Sequence, residues 1–246
     1  MASTDDRVLV AGASGDTGRE ILAVLRSTDL TVRATTRSHT DVDELERLGA
    51  DEAVVVNLFE SADAVRAVEG CAFVLCALGT PPGPRHLVGG KLVDRTGVIN
   101  LVTAAVGADV DHFVFESAIG VGNSRGRMAL PGRLLVRATL SAKQDAETAL
   151  RRSGLGYTIV RPGKLTTDPP SGEVLVGEGG DTLSGSIPRA DVARLMAAAP
   201  FTPEARNRTL EAVSRDGLRG PPQNVVAIDW NYDRLGIESE RERPEP

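Results

Sequence analysis

Three of the 28 basic residues in this 246-residue chain are lysines, and Lys143 lies midway along the helical-looking stretch "ATLSAKQDAETAL". A chain that otherwise uses arginine for positive charge has a compact ammonium here, which suits point-like hydrogen bonding better than a planar fork does. A second group is "GASGDTG", where Gly12, Gly15 and Gly18 are spaced G-x-x-G-x-x-G with Ser14, Asp16 and Thr17 between them. Glycine lets a backbone turn sharply and approach a diphosphate, and the N–H groups of a helix start face such an anion along the positive end of the helix dipole. A third is "ATTRSH", where Arg37 stands 19 residues after Gly18. NAD sites place an acid near this point to hold the ribose 2′-hydroxyl. A guanidinium pairs instead with a 2′-phosphate, and Thr36 and Ser38 add hydroxyls, so the expected cofactor is NADP.

Candidates for proton transfer are fewer. His86, in "GTPPGPRHLVGG", titrates in a suitable range, although a surface loop histidine has the same signature. Glu116 ends an apolar strand, and alternation of strand faces puts its carboxyl at the sheet end in water. The alternative is a buried acid of raised pKa. His39 and His112 form no ligand pattern with a cysteine or carboxylate cluster, so no metal is expected. "GASGD" sits after the first strand with Gly18 following, which favours a dinucleotide loop over a nucleophile elbow.

These residues need elements to hold them. Apolar strand patterns fall at Val8–Ala11, Thr31–Thr36, Ala53–Asn57, Phe73–Leu78, His112–Ser117 and Tyr157–Arg161. Helical patterns lie between them, near Gly18–Ser27, Asp41–Leu48, Ser61–Glu69, Lys91–Val106 and Ser141–Ser153. Alternation of this kind predicts an α/β fold of Rossmann type: a doubly wound, mainly parallel sheet with helices on both faces. A Pro- and Gly-rich region over about 162–188 predicts a small substrate-side region, followed by a helix at "IPRADVARLMAAA" and a strand at "RTLEAVS". Residues 1–215 are expected to form one domain. In the tail, 216–246, "VVAIDWNY" can dock and "ESERERPEP" has a disordered composition.

The bulk numbers narrow the partners. Hydrophobic residues make up 41% and charged residues 25%, as in a globular protein. A net charge of −6 gives no electrostatic pull toward nucleic acid or an anionic membrane. No apolar run approaches the ~20 residues that span a bilayer. Cys71 and Cys76 lie in or beside an apolar strand and read as buried free thiols of a reducing cytoplasm. The expected partner is a small-molecule substrate, with a homodimer left open.

The motifs "GASGDTG", "VLCALGT", "VDRTGVINLVTAA", "HFVFESAIGVG", "AKQDAETALRRSGLGYTIVRPGKL" and "IPRADVA" resemble the atypical short-chain dehydrogenase/reductase superfamily. The branch is that of NAD(P)H-binding proteins with NmrA-like regulators and biliverdin reductase B-like flavin reductases, and the resemblance covers about residues 7–213. It implies that Asn57 and Leu58 border adenine and that Ala77, Leu78 and Gly79 pass under the adenosine and ribose. It implies that Ser117 lies near the nicotinamide, that Lys143 holds the nicotinamide ribose hydroxyls, and that Pro162, Gly163 and Leu165 line the nicotinamide pocket. Ser117 also reads as a strand-end cap. Arg189 and Asp191 read as helix-start structure outside the site.

Familiar members of the superfamily carry Tyr-x-x-x-Lys on this helix, one turn apart on one face. Here the position four before Lys143 is Thr139, and the chain's only tyrosines are Tyr157 and Tyr232. An aliphatic hydroxyl is no effective acid near neutral pH. The resemblance therefore implies either an NADPH-dependent reductase of a small planar acceptor, flavin or quinone in type, or a non-catalytic NADP-binding regulator, redox sensor or assembly factor. In the first reading Lys143, Ser117 and His86 are the candidate catalytic residues. A sugar-nucleotide epimerase is disfavoured by the short chain and the missing tyrosine.

Overall fold

A computed structural model describes residues 7–80, 92–124 and 137–236. The chain opens with β1 (Arg7–Ala11), α1 (Asp16–Leu25), β2 (Thr31–Thr36), α2 (Val42–Leu48), β3 (Glu52–Val55), α3 (Ser61–Val68) and β4 (Phe73–Cys76). It continues with α4 (Thr96–Gly107), β5 (His112–Glu116), α5 (Arg137–Arg152), β6 (Gly156–Pro162), β7 (Lys164–Thr166), β8 (Val174–Glu178), β9 (Ser186–Pro188), α6 (Arg189–Ala198) and β10 (Arg208–Ser214). Eight strands form one sheet in the order β3-β2-β1-β4-β5-β6-β10-β8. All neighbours are parallel except β8, which runs antiparallel to β10 at the edge. Strands β7 and β9 make a separate parallel pair. This is the expected Rossmann-type architecture.

Period-two alternation sorts the strand side chains into two layers. Val8, Val10, Val114, Val160 and Ala212 pack with α1 and α6 on one face. Leu9, Ala11, Val74, Phe113, Phe115 and Ile159 pack with α3, α4 and α5 on the other. On β5 this puts Glu116 on the α1/α6 face, and the next residue, Ser117, on the α4/α5 face. The order reverses between β1 and β4, so the loops after these strands flank the crevice where open α/β sheets bind ligands.

Several boundaries differ from expectation. Helix α4 starts at Thr96 rather than near Lys91, because Leu92–Arg95 forms a turn closed by the Arg95 N–H on the Leu92 carbonyl at 3.1 Å. Helix α5 starts at Arg137, four residues before the predicted Ser141. Strands β4 and β5 stop at Cys76 and Glu116, short of the predicted Leu78 and Ser117. The described part of the tail lies along the β8 edge: the Gln223 N–H bonds the Thr182 carbonyl at 2.9 Å and the Val226 N–H bonds the Val176 carbonyl at 2.9 Å. Farther along, Leu235 is buried, and Trp230 and Tyr232 pack against the α1/α6 core. Among the described residues, no helix is long and apolar enough to cross a membrane.

Candidate functional site

The turn after β1 is built from glycine for steric reasons visible in the structure. Gly12 has φ +85°, and a Cβ there would meet the Ala77 carbonyl at 2.7 Å, so the loops after β1 and β4 touch only because no side chain intervenes. A Cβ on Gly18 would collide with the Gly12 carbonyl, so α1 can cross β1 this closely only with glycine at that point. Gly15 is the N-cap of α1 and makes no side-chain cap bond. It is exposed, so the first-turn N–H groups of α1 have no side-chain competitor for an anion.

At the end of β2, the Ser14 hydroxyl donates to Thr36 Oγ1 at 3.1 Å, and Thr36 Oγ1 donates to Asp41 Oδ2 at 2.8 Å. Hydrogen bonding from Thr36 holds the Asp41 carboxyl below its usual range, with Ser14 and Thr40 adding to it. Asp41 is a carboxylate at this corner that sequence reasoning missed. It falls five residues past the strand end, inside a predicted helix, where no strand-end acid is sought. Arg37, the residue after Thr36, is exposed. Ser38 accepts from the Thr40 N–H at 3.2 Å and caps a short 3₁₀ turn. Arg19, following Gly18, pairs with Glu44 of α2.

Asn57 and Leu58 follow β3, with Leu58 buried and its carbonyl accepting from Asn100 Nδ2 at 2.9 Å. Ala77, Leu78 and Gly79 follow β4. Pro162 ends β6 and is buried, and a Cβ on Gly163 would meet the Gly185 carbonyl at 2.6 Å. Leu165 is half-buried on β7. His86 lies outside the described residues.

At the carboxyl end of β5 one expectation is corrected. Glu116 is buried, not in water, because α1 and α6 close over that face of the strand end. Its Oε1 accepts from Thr17 Oγ1 at 3.1 Å, which brings a carboxyl up against the dinucleotide loop. Burial pushes this carboxyl up, and Lys143 and Thr17 offset only part of that. Ser117, the next residue, is also buried. The hydroxyl donates to Glu147 Oε1 at 2.6 Å, and Glu147 is clamped by Arg161 Nε at 2.9 Å and Nη2 at 2.7 Å. Ser117 thus sits in a buried network with Glu147 and Arg161.

Lys143 reaches the same strand end from α5. It is buried, and its Nζ donates to the Glu116 carbonyl at 2.7 Å, 5.2 Å from the centre of the Phe115 ring. Thr139 stands one turn earlier on α5. Tyr157 is the second residue of β6, at the opposite edge of the sheet. Tyr232 follows Asn231, whose N–H bonds Thr202 Oγ1 at 3.1 Å, next to Phe201. The Phe201 ring meets Phe73 at the start of β4, so this tyrosine also lies toward the amino-terminal edge. Arg189, expected to serve only the fold, reaches Asp16 at 3.3 Å and the Thr166 carbonyl at 3.2 Å, so it borders the glycine loop. Asp191 pins the loop before β8 by accepting from the Ser171 N–H at 2.8 Å. Both cysteines are buried, which pushes the Cys71 thiol to about 11 and the Cys76 thiol to about 12.

Known proteins resemble this chain in sequence and fold. The family profile described as NAD(P)H-binding matches residues 12–203. An uncharacterized chloroplastic protein of Arabidopsis thaliana is 37% identical over 220 residues, covering 85% of this chain and 77% of the relative. A Bacillus halodurans structure, called a candidate NAD-dependent epimerase/dehydratase, superposes with a TM-score of 0.74 at 30% identity, covering 88% of this chain and 95% of that one. ChuY of Escherichia coli O157:H7, described as an anaerobilin reductase, shares the fold with a TM-score of 0.76 at 18% identity, covering 87% of this chain and 100% of that one.

Proposed function

The chain belongs to the NAD(P)H-binding family of the atypical short-chain dehydrogenase/reductase group, and on that premise we propose that it is an NADPH-dependent reductase of a small planar acceptor, flavin or quinone in type. The observation that carries this reading is the setting of Lys143. A buried ammonium is fixed at the carboxyl end of β5, and both tyrosines lie at the other edge of the sheet. The site can orient a nicotinamide ribose and has no phenol to protonate a substrate alkoxide.

The residues present fit NADP(H). The glycine cradle leaves room for a diphosphate that any Cβ at Gly12 or Gly18 would close. The start of α1 supplies its donors, Arg37 supplies a cation for a 2′-phosphate, and Lys143 supplies donors for the ribose hydroxyls. The bound cofactor would supply the hydride. The chain's part is orientation, with Pro162, Gly163 and Leu165 walling the nicotinamide end. Reduced flavins and quinones take their proton from water, so an acceptor of this type needs no protein acid.

The same missing phenol favours a second reading, a non-catalytic NADP(H)-binding regulator or sensor. One experiment separates the two. The protein is mixed with NADPH and a panel of flavins, quinones and aldehydes while cofactor absorbance is followed. Steady oxidation with a flavin or quinone and none with aldehydes is the expected result. Tight NADPH binding with no turnover across the panel leaves the regulator reading in its place.

A further inference from the structure

Asp94 lies in the turn before α4, the segment that delays the helix start. Its carboxylate is fully buried. Oδ2 accepts from the Thr80 N–H at 2.9 Å and from the Thr80 hydroxyl at 2.5 Å. Oδ1 has no hydrogen-bond partner among the described residues. Buried carboxylate oxygens are almost always satisfied, so an open one marks a place where a donor belongs. The nearby donor is Lys143 Nζ, 3.8 Å away. That ammonium has three N–H groups, and one is committed to the Glu116 carbonyl. The lysine is thus bounded on two sides, by the β5 carbonyl and by Asp94, with the Phe115 ring as floor. Through its other oxygen, Asp94 also grips Thr80, next to Gly79 in the loop after β4.

We propose that Asp94 is the positioning residue of the cofactor site: it aims the Lys143 ammonium at the nicotinamide ribose and ties the loop after β4 to α5. The inference rests on the NADP(H) reading above. It assigns a role to a carboxylate that touches no cofactor atom itself. A neutral amide at this position keeps an acceptor for Thr80 but removes the charge that steers the ammonium.

The test compares two ligands. NADPH has the nicotinamide ribose, whereas adenosine 2′,5′-bisphosphate has only the adenosine half. Asp94→Asn is expected to weaken NADPH binding about tenfold, equivalent to about 1.4 kcal/mol, and to leave the bisphosphate unchanged. In a Lys143→Met background the same change is expected to have no further effect on NADPH, because the group that Asp94 steers is gone. Thr80→Val, a milder change on the same carboxylate, is expected to give a smaller loss confined again to NADPH, which keeps the test open if Asp94→Asn folds poorly. Equal losses for both ligands, unchanged NADPH binding, or additivity with Lys143→Met would each overturn the inference. A wild-type chain that binds neither ligand overturns the cofactor reading itself, and this outcome is distinct from the others.

Discussion

Glu116 carries a carboxyl whose ionisation the fold resists. Burial raises its pKa above the ordinary carboxylate value of 4.5, with Lys143 and Arg189 pulling the other way and Asp94 adding to the rise. The folded state therefore holds the proton more tightly than the unfolded chain. That contribution favours folding in full below about pH 4.5 and is lost as pH rises through the folded-state value. Glu116→Gln keeps an acceptor for Thr17 and removes the ionisable group. It should raise stability at pH 8 and leave it nearly unchanged at pH 4.5, as read from urea midpoints. An equal effect at both pH values would show that the fold does not raise this carboxyl's pKa. A second single-residue prediction concerns the cofactor's 2′ position. Arg37 is exposed, whereas Asp41 is engaged with Thr36. Arg37→Ala should cost about tenfold in NADP affinity, the weight of one charge-assisted contact, with NAD affinity unchanged. Asp41→Asn should shift the preference further toward NADP. Titrations with both dinucleotides check the pair, and an unaltered preference in Arg37→Ala would remove that residue from the site.

At the scale of elements, β5, β6 and α5 are locked by a buried ionic knot. Burial alone would push the Glu147 carboxyl up, but Arg161, Ser117 and Arg151 outweigh burial and hold it below its usual range. Arg161 also donates to Asn123 Oδ1 at 2.7 Å, so the knot reaches the loop after β5. Removing one partner leaves the other charge buried. Arg161→Ala or Glu147→Ala should therefore cost about 3–5 kcal/mol, whereas an Arg161→Met/Glu147→Leu pair should recover most of the loss. Thermal and urea unfolding of the four proteins form the check; a double variant as unstable as the singles would show that the knot is not a paired unit. This knot also shows what the sequence could and could not say. Apolar β-rich runs such as "FVLC" and "HFVFE" and the glycine turn declare themselves locally, so the sheet and the cradle were legible. Lys143 stood out because lysine is rare in this chain. The partners of the site residues were not legible, because they come from elements distant in sequence. Glu147 looks like an ordinary charged helix residue until β6 brings Arg161 across, and Asp94 looks like part of a helix until its turn faces Thr80. Glu116 was misplaced because alternation along one strand does not reveal that two helices close over that face. Helix-start arginines such as Arg189 are ambiguous for the same reason.

Across the whole molecule, buried titratable groups at both ends of the sheet make the fold sensitive to acid. His112 opens β5 at the amino-terminal edge and is 1% exposed, with Nε2 2.9 Å from Thr158 Oγ1 and Nδ1 3.2 Å from Arg206 Nη1. Burial, with the Arg206 charge adding to it, lowers its pKa from 6.5 to about 4. The folded state keeps this ring neutral while the unfolded chain protonates it near 6.5, so stability falls as pH drops from 6.5 toward 4. Between pH 7 and pH 5 the loss from this one group is about 2 kcal/mol. Glu147 and Glu211 act in a lower window. Glu211 is buried among Ser124, Thr182 and the Leu183 N–H, which together outweigh burial and hold its carboxyl low. Stability from these two carboxylates is present above about pH 4.5 and is lost as pH falls below it. Glu116 runs in the opposite sense, but it is one group against three. The wild-type chain should therefore lose stability in two stages on acidification, the first belonging to His112. His112→Asn should lower stability at pH 7 through lost packing, yet show a nearly flat urea midpoint from pH 7 to pH 5, where the wild type declines. Parallel slopes in the two proteins would exclude His112 as the source of the first stage. A flat His112→Asn profile down to pH 3.5 would exclude the carboxylates as the source of the second.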